Sequence, residues 1–325
     1  MSENNTSIEI NDLTKRYGDL TAVNRLTLSV PSGVVFGFLG PNGAGKTTTI
    51  RLLLGLTEPD GGSASIFGYD SMKEGDKIRE FSGALLENHG LYEKLSALEN
   101  LNYYADIFRL SPSQKKSRAR ELLEMVDLWE RRNEKVKQWS RGMKQKLALV
   151  RSFLHRPRLL FMDEPTLGLD VSTAVKIREI ITRLAEKEGR TVFLTSHNMA
   201  EVEKICDEVA IIRKGELVTK GSPEELTSKK GVKEVRITLG SFDPSLKSVL
   251  MNLKDVDDLQ EEPASGDDGD RKTLILFMKP ESSLDPVIRI ISESDSEMMD
   301  INSARKSLET VFMELTEEEQ KGSEK

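Results

Sequence analysis

The stretch VVFGFLGPNGAGKTTTIRLLLGL, residues 34–56, decides the fold. It begins with an apolar run, VVFGFL, which predicts a strand covered on both faces, as in the parallel sheet of an α/β domain. The next residues, GPNGAGKT, run from Gly40 to Thr47 and fit the phosphate-loop pattern G-x-x-x-x-G-K-[ST]. TTTIRLLLGL then predicts a helix. A strand, a glycine-rich turn and a helix in this order are the context in which the pattern binds phosphate.

The residue types of this loop fit that chemistry. Glycines permit backbone angles that side chains would forbid, so amide groups can approach phosphate oxygens closely. The helix that follows turns its positive end to the same place. We expect Lys46 to neutralise the β- and γ-phosphates and the Thr47 hydroxyl to bind Mg²⁺.

Two further apolar strands end in polar residues. RLLFMDEP (158–165) places Asp163 and Glu164 after a buried strand, where Asp163 would hold Mg²⁺ and Glu164 would polarise a water as a general base. The alternative is that the carboxylates only cap the next turn. TVFLTSH (191–197) ends with His197, at the strand end where open α/β sheets bind ligands. A lone histidine there could equally be a surface residue.

Composition limits the class of protein. The chain has 325 residues, of which 31% are charged and 37% hydrophobic, as in a soluble globular protein of about two domains. No apolar run approaches the ~18 residues of a membrane-spanning helix, and MSENNTSIEI does not resemble a signal peptide. A single cysteine, Cys206, excludes an internal disulfide and a cysteine-built metal site. The net charge of −7 argues against nucleic-acid binding over the whole surface.

The chain divides into two predicted domains. Residues 1–228 alternate strands with helices, and a helical subdomain is inserted at about 88–150; residues 229–325 have the order β-α-β-β-α-β, which is typical of a ferredoxin-like α+β domain. Residues 233–325 carry 12 Lys and Arg against 22 Asp and Glu, a net charge of −10, which leaves +3 for residues 1–232.

A last predicted helix carries Leu308, Val311, Phe312 and Leu315 on one face. The strands expected in the first domain are Ile8–Leu13, Leu26–Val30, Val34–Leu39, Phe81–Leu86, Arg158–Asp163, Thr191–Thr195, Glu208–Arg213 and Glu216–Lys220.

Together with WSRGMKQKL (139–147) and LGLD (167–170), these motifs resemble the nucleotide-binding subunit of ATP-binding cassette (ABC) transporters over about residues 6–228. The resemblance implies a P-loop ATPase with a mainly parallel core sheet, an N-terminal antiparallel part and an inserted helical subdomain, with ATP and Mg²⁺ as cofactors. The implied site residues are, for the nucleotide, Tyr17, Gly40, Pro41, Asn42, Gly43, Ala44, Gly45, Lys46, Thr47, Thr48, Ser140, Gly142 and Asp170; for catalysis, Glu164 and His197; and for the metal, Thr47, Asp163 and Glu87.

The same resemblance implies partners. In the family, the signature around Ser140 meets the γ-phosphate of a second subunit, so a chain with one set of motifs is expected to form a homodimer or a heterodimer. A separate membrane permease would dock near the loop Glu87–Leu95 and the helix Ser96–Phe108, although helix packing would also explain Tyr103, Tyr104 and Phe108. No nucleic acid is expected, and the subunit would lie at the cytoplasmic, inner face of the cell membrane.

Two positions depart from the family pattern. Glu87 stands where glutamine is usual; a carboxylate can bind Mg²⁺ but, when ionised, cannot donate a hydrogen bond. Arg141 stands where the signature usually has glycine. Its cation could contact a phosphate or point to solvent, and we expect solvent.

Finer phrases resemble the branch of ABC-2 type drug and polysaccharide exporters, including daunorubicin-resistance-like ATPases. These phrases are LLENHGLYEKLSALENLNYYA (85–105), SRGMKQKL (140–147) and SLETVFMELTEEE (307–319). The leading hypothesis is therefore the ATP-hydrolysing motor of an exporter. The alternatives are a soluble ABC-type ATPase of translation or DNA repair, and a module that senses ATP without hydrolysis, which Glu164 opposes. A GTPase lacks support because the chain has no N-K-x-D motif.

Overall fold

A computed structural model describes residues 6–86, 89–228, 233–241, 243–263, 272–279, 282–304 and 307–313. The chain separates into two compact units, Met1–Ser222 and Pro223–Lys325. The first unit contains two sheets and the second unit one, and each unit has its own apolar core.

The first unit contains ten strands, seven α-helices and two short 3-10 helices (Trp129–Arg131 and Val136–Gln138) among its described residues. Its strands are β1 (Thr6–Tyr17), β2 (Leu20–Pro31), β3 (Val35–Leu39), β4 (Gly61–Ile66), β5 (Tyr69–Asp70), β6 (Ser82–Leu85), β7 (Leu159–Asp163), β8 (Thr191–Ser196), β9 (Glu208–Arg213) and β10 (Glu216–Gly221). Its helices are α1 (Lys46–Leu53), α2 (Gly75–Phe81), α3 (Ala97–Ile107), α4 (Pro112–Met125), α5 (Arg141–Ser152), α6 (Val171–Glu186) and α7 (Met199–Ile205).

The central sheet has the order β10-β9-β3-β8-β7-β6. All neighbouring strands run parallel except β9 and β10. Every residue of β3, β7 and β8 is buried, which explains why these strands are apolar almost throughout. The predicted mainly parallel core sheet is confirmed, and the carboxyl ends of β3, β7 and β8 meet at one edge.

A second sheet, antiparallel and ordered β2-β1-β4-β5, contains two strands that the sequence did not predict. The first of them, β4, has the sequence GGSASI, which is poor in β-branched and aromatic residues. It forms because it pairs with β1, with Ile66 opposite Ile8 and Ala64 opposite Ile10. Tertiary pairing therefore overrides local propensity here.

Aromatic side chains fill the core between strands. The Phe193 ring of β8 lies 5.7 Å from Phe36, 5.2 Å from Phe38 and 5.7 Å from Phe161, measured between ring centroids. The same buried cluster includes side chains of the antiparallel sheet, such as Ile8. One core thus supports both sheets and fixes β3, from which the glycine-rich loop leaves.

The helical part is built on well-capped helices. Ser96 accepts a hydrogen bond from the Glu99 amide, and the Glu99 carboxylate accepts one from the Ser96 amide, so the predicted capping box at the start of α3 is confirmed. A second capping box, at Ser111 and Gln114, begins α4. The predicted first residue of this part, Asn88, lies outside the described residues.

The second unit carries α8 (Pro223–Ser228), β11 (Lys233–Leu239), α9 (Ser245–Met251), β12 (Val256–Pro263), β13 (Lys272–Met278), α10 (Asp285–Ser292) and β14 (Met298–Ala304). From β11 onward the order is β-α-β-β-α-β, and the antiparallel sheet has the strand order β12-β13-β11-β14. This is the ferredoxin-like topology that the sequence predicts. Residues 308–313 are helical and Leu308 is fully buried, while Leu315 lies outside the described residues.

His155 joins the helical part to the central sheet. Its ring stacks on Phe108 with centroids 3.6 Å apart, and its Nε2 donates to the Ser82 carbonyl at 3.1 Å. Nδ1 is buried and has no partner among the described residues, which fits a neutral ring. Burial, helped by the charges of Arg190 and Arg118, lowers the pKa of His155 to about 4.

This shift makes stability depend on pH. The unfolded chain takes up the proton near pH 6.5 and the folded chain only near pH 4, so the contribution of His155 is complete above pH 6.5 and is lost as the pH falls toward 4. Between pH 7 and pH 4, we expect the free energy of unfolding to fall by about 2–3 kcal/mol more in wild type than in His155→Gln. Urea titrations of both proteins at several pH values measure this difference. Parallel curves for His155→Gln and wild type would contradict the assignment.

Candidate active site

The glycine-rich loop leaves β3 and ends at α1 in a conformation that requires glycine. Gly45, the N-cap of α1, has φ +104 and provides no side-chain cap. A Cβ at Gly45 would lie 2.2 Å from the Ala22 carbonyl oxygen, and one at Gly40 would lie 2.4 Å from that of Ile212. The first amide groups of α1 therefore lack a side-chain acceptor from the N-cap, and such amides bind anions.

Lys46 is folded back over this loop. Its Nζ donates to the carbonyls of Gly40 at 2.7 Å and Pro41 at 3.3 Å, and it lies 3.6 Å from Oε1 of Glu164. The side chain is only 7% exposed. A nearly buried cation is therefore held above the anion-binding amides, beside a carboxylate.

The two carboxylates at the end of β7 occupy different environments. Asp163 is buried, and it accepts hydrogen bonds from the Thr47 hydroxyl at 2.8 Å and from the Thr195 hydroxyl at 2.6 Å. The Thr47 and Asp163 oxygens thus stand together between the loop and β7. Hydroxyl and carboxylate oxygens are ligands that Mg²⁺ prefers, so this pair fits the ion.

Glu164 turns the chain out of the sheet. Its φ is +50, a left-handed conformation that is uncommon for a residue with a side chain. One carboxylate oxygen faces Lys46, and the other lies 3.0 Å from Nδ1 of His197. Glu164 therefore links the Lys46 cation to the histidine at the end of β8.

Thr195 was missed in the sequence. Besides donating to Asp163, its Oγ1 accepts from the Glu164 amide at 3.1 Å, and its carbonyl accepts from the same amide at 3.2 Å. One hydroxyl thus orients both carboxylate residues. The available signal was a hydroxyl residue directly after the apolar run VFL in a strand predicted to be buried on both faces, because a buried hydroxyl needs a hydrogen-bond partner.

The glycine-rich loop and the start of α1, together with Asp163, Glu164 and His197, line a cavity of about 630 Å³. The predicted residues that line it are Tyr17, Pro41, Asn42, Gly43, Ala44, Gly45, Lys46, Thr47, Thr48, Asp163, Glu164 and His197. Leu20, Ala22, Leu86, His89, Arg141, Gln145 and Leu167 line it as well, although the sequence did not predict them as nucleotide contacts. The cavity is large enough for a nucleotide.

Tyr17 and His89 stand on the walls of this cavity. Tyr17 ends β1, is 47% exposed and has Nζ of Lys15 at 5.5 Å from its ring centroid. Its exposed ring is available for stacking. The Nε2 atom of His89 is buried without a partner among the described residues, so it offers a further polar group. Glu87, the predicted metal ligand two positions earlier in the sequence, lies outside the described residues.

Three predicted residues form a separate group. Ser140 is the N-cap of α5 and accepts from the Met143 amide at 3.3 Å. A Cβ on Gly142 would lie 3.8 Å from Oδ2 of Asp170, the N-cap of α6. Hydrogen bonds from Ser172 and Thr173 hold the pKa of Asp170 well below its usual value. Ser140, Gly142 and Asp170 thus lie together at the starts of two helices and do not line the cavity of their own chain.

Comparison with known proteins identifies the family of this chain. The family model described as ABC transporter matches residues 23–167. The chain is 36% identical over 253 residues to the linearmycin resistance ATP-binding protein LnrL of Bacillus subtilis (strain 168), a match that covers 78% of this chain and 81% of that protein. It belongs to the ABC transporter family.

Other relatives extend this result. This ABC chain is 32% identical over 322 residues to the daunorubicin resistance ATP-binding protein DrrA3 of Streptomyces coeruleorubidus, and the match covers 98% of each chain. A dimeric ATP-binding cassette solved in a post-hydrolysis state with ADP and Pi matches with a TM-score of 0.61 and 26% identity, over 66% of this chain and 98% of that one. The ABC chain is accordingly an ATP-binding subunit and an ATPase.

The hydroxyl of Thr195 provides a test of the site. Thr195→Val keeps the shape of the side chain but leaves Asp163 without one of its hydrogen bonds, so we expect the free energy of unfolding to fall by about 1–3 kcal/mol. ATP turnover should fall by at least about tenfold, because both carboxylate residues lose their common partner. Thr195→Ser, which keeps the hydroxyl, is the matched control. Urea denaturation and steady-state ATPase assays measure both effects; equal behaviour of the two variants would remove the role.

Proposed function

We propose that this ABC subunit is the ATP-hydrolysing motor of an exporter, and that it drives a separate membrane permease by ATP-dependent closure of a dimer. The observation that carries the proposal is the position of Glu164. Its carboxylate lies between Lys46 and His197, next to the Thr47–Asp163 pair, in a cavity lined by the phosphate loop.

Nucleotide binding would use the groups that line the cavity. The amides of the loop and of the first turn of α1 would surround the phosphates, and Lys46 would exchange its bonds to loop carbonyls for bonds to phosphate oxygens. Tyr17 would stack on the adenine. Since the ammonium is nearly buried already, its charge acts at low local dielectric, where it attracts phosphate strongly.

The metal would be held by Thr47 and Asp163, with Glu87 as a third candidate ligand. When bound, Mg²⁺ would neutralise negative charge on the phosphates. The hydrogen bond between Thr47 and Asp163 holds the two oxygens in place before the ion arrives. Thr195 binds the other oxygen of Asp163, so the carboxylate would keep its orientation when the ion binds.

Hydrolysis would begin at Glu164. The carboxylate accepts a proton from water as that water attacks the γ-phosphorus, the bond to the bridging oxygen breaks, and ADP and phosphate form. His197 holds one oxygen of Glu164 and so directs the other toward the cavity. A module that senses ATP without hydrolysing it would not need a carboxylate in this position.

The group of Ser140, Gly142 and Asp170 would serve the nucleotide of a second subunit. These residues lie outside the cavity of their own chain, and Ser140 presents an exposed helix start. A helix N-terminus with a hydroxyl is suited to a γ-phosphate. Two subunits would therefore close head to tail around two ATP molecules, as a homodimer or a heterodimer.

The permease would dock on the helical part. Tyr92, Tyr103 and Ile107 leave 45%, 43% and 56% of their surfaces exposed, and such apolar exposure suits a protein partner. Phe108 instead stacks on His155, so its role is packing. None of the described helices combines the length and the apolar character needed to cross a bilayer. The subunit would act at the inner face of the membrane, with the relatives named for linearmycin and daunorubicin resistance supporting export.

Replacing the base tests hydrolysis and the dimer together. Glu164→Gln keeps the size of the side chain but removes the proton acceptor, so turnover should fall by about 10²–10⁴-fold while ATP still binds. The variant should accumulate as a dimer with ATP, which size-exclusion chromatography measures. Lys46→Ala, which should lose ATP binding, is the control.

Mixing this variant with Ser140→Ala tests whether the signature acts across the interface. One site of a mixed dimer would have an intact base and an intact partner serine, so mixing should restore turnover. If each variant is inactive alone and the mixture remains inactive, the head-to-tail arrangement is wrong.

The acidic second unit would dimerise or regulate the motor. Its net negative charge makes contact with an anionic membrane surface unfavourable. Deleting residues 233–325 should leave ATP affinity unchanged within about twofold and should change dimer stability or permease-coupled turnover. Nucleotide titration and analytical ultracentrifugation distinguish these effects, and a truncated chain that no longer binds ATP would show that the two units do not act separately.

A further inference from the structure

Arg141, the first residue of α5, contacts the segment that follows Glu164. Its Nη2 donates to the Leu167 carbonyl at 3.2 Å. Its Nη1 lies 2.6 Å from the point where a Cβ on Gly168 would stand. The side chain is exposed, but its guanidinium is not simply directed to solvent, which corrects the expectation from the sequence.

A second donor from the same helix accompanies it. Gln145 is buried, and its Nε2 donates to the Pro165 carbonyl at 2.8 Å. Residues four apart lie on one face of a helix, so Arg141 and Gln145 present their donors side by side. They bind two carbonyls, at Pro165 and Leu167, in the three residues that follow Glu164.

Apart from these two donors, the segment 165–170 is held at its middle by the Thr166 hydroxyl, which donates to the Glu201 carboxylate. Its internal backbone bonds are long, at 3.2 Å from the Leu167 amide to the Glu164 carbonyl and 3.3 Å from the Leu169 amide to the Thr166 carbonyl. Gly168 has φ +69 and contributes no side chain. A glycine at position 141, as is usual in the family, would leave the Leu167 carbonyl without this donor.

We propose that Arg141 is a positioning residue for ATP hydrolysis. It fixes the backbone after Glu164 through the Leu167 carbonyl, within one chain, and so couples the signature helix to the general base. The planar guanidinium suits this role, because it donates to the Leu167 carbonyl through one nitrogen while another lies over Gly168. The proposal rests on Glu164 as the base, which is part of the proposed function.

The competing role for Arg141 is a direct contact with nucleotide, since it also lines the cavity. The two roles differ in kinetics. A residue that positions the base changes kcat and leaves KM for ATP alone, whereas a residue that binds nucleotide in the ground state changes KM.

The test compares Arg141→Gly and Arg141→Lys with wild type in the full chain, with Lys146→Gln as a control that removes a positive charge from the same helix. We expect Arg141→Gly to lower kcat about tenfold with KM for ATP within about twofold. Arg141→Lys should recover part of the loss, because an ammonium can donate one bond to the carbonyl. Lys146→Gln should match wild type.

Hydrogen exchange of the nucleotide-free chain provides a readout that does not need turnover. The Leu167 and Leu169 amides should exchange about five- to tenfold faster in Arg141→Gly. A rise in KM with unchanged exchange would assign Arg141 to the nucleotide and overturn the proposal, as would unchanged kcat and exchange. If Glu164→Gln retained full turnover while exchange changed as expected, the base assignment would fail and the contact with the segment would stand.

Discussion

The hydrogen bonds that meet at Asp163 are the constraint on which the site depends. Thr47 from the loop and Thr195 from β8 each bind one oxygen of this buried carboxylate. A buried carboxylate is costly unless it is paired in this way. The three residues come from three chain segments that the parallel sheet brings to one edge, so the site forms only when β3, β7 and β8 are in register. Folding of the sheet and formation of the site are therefore one event.

Much of this arrangement could be predicted because its causes are local. Runs that are apolar almost throughout predict strands covered on both faces, and GPNGAGKT predicts the loop between β3 and α1. The sequence placed Glu164 and His197 at the ends of two such strands, and the parallel sheet brings these ends together, so that the two side chains are in contact. In the second unit, the order β-α-β-β-α-β could be predicted from local patterns, and this order predicts the ferredoxin-like sheet.

Other features depend on partners far along the chain and left no local signal. The strand β4 forms from GGSASI only because β1 is beside it. Thr195 orients two carboxylate residues over a sequence distance of more than thirty residues. The direction of the Arg141 guanidinium depends on the path of the chain at Leu167, which spacing does not encode. The sequence therefore predicted the types of most elements better than the directions of individual side chains.

The cap at Ser140 has a consequence for assembly. The hydroxyl oxygen receives the Met143 amide through a lone pair, and its own hydrogen remains available to donate. The hydroxyl that caps the start of α5 could thus also donate to an incoming anion without releasing the Met143 amide. Meeting a second molecule's nucleotide would then require no local unfolding at the helix start. Because the helix start is already ordered in the single chain, association with a second chain would not carry the entropy cost of ordering it.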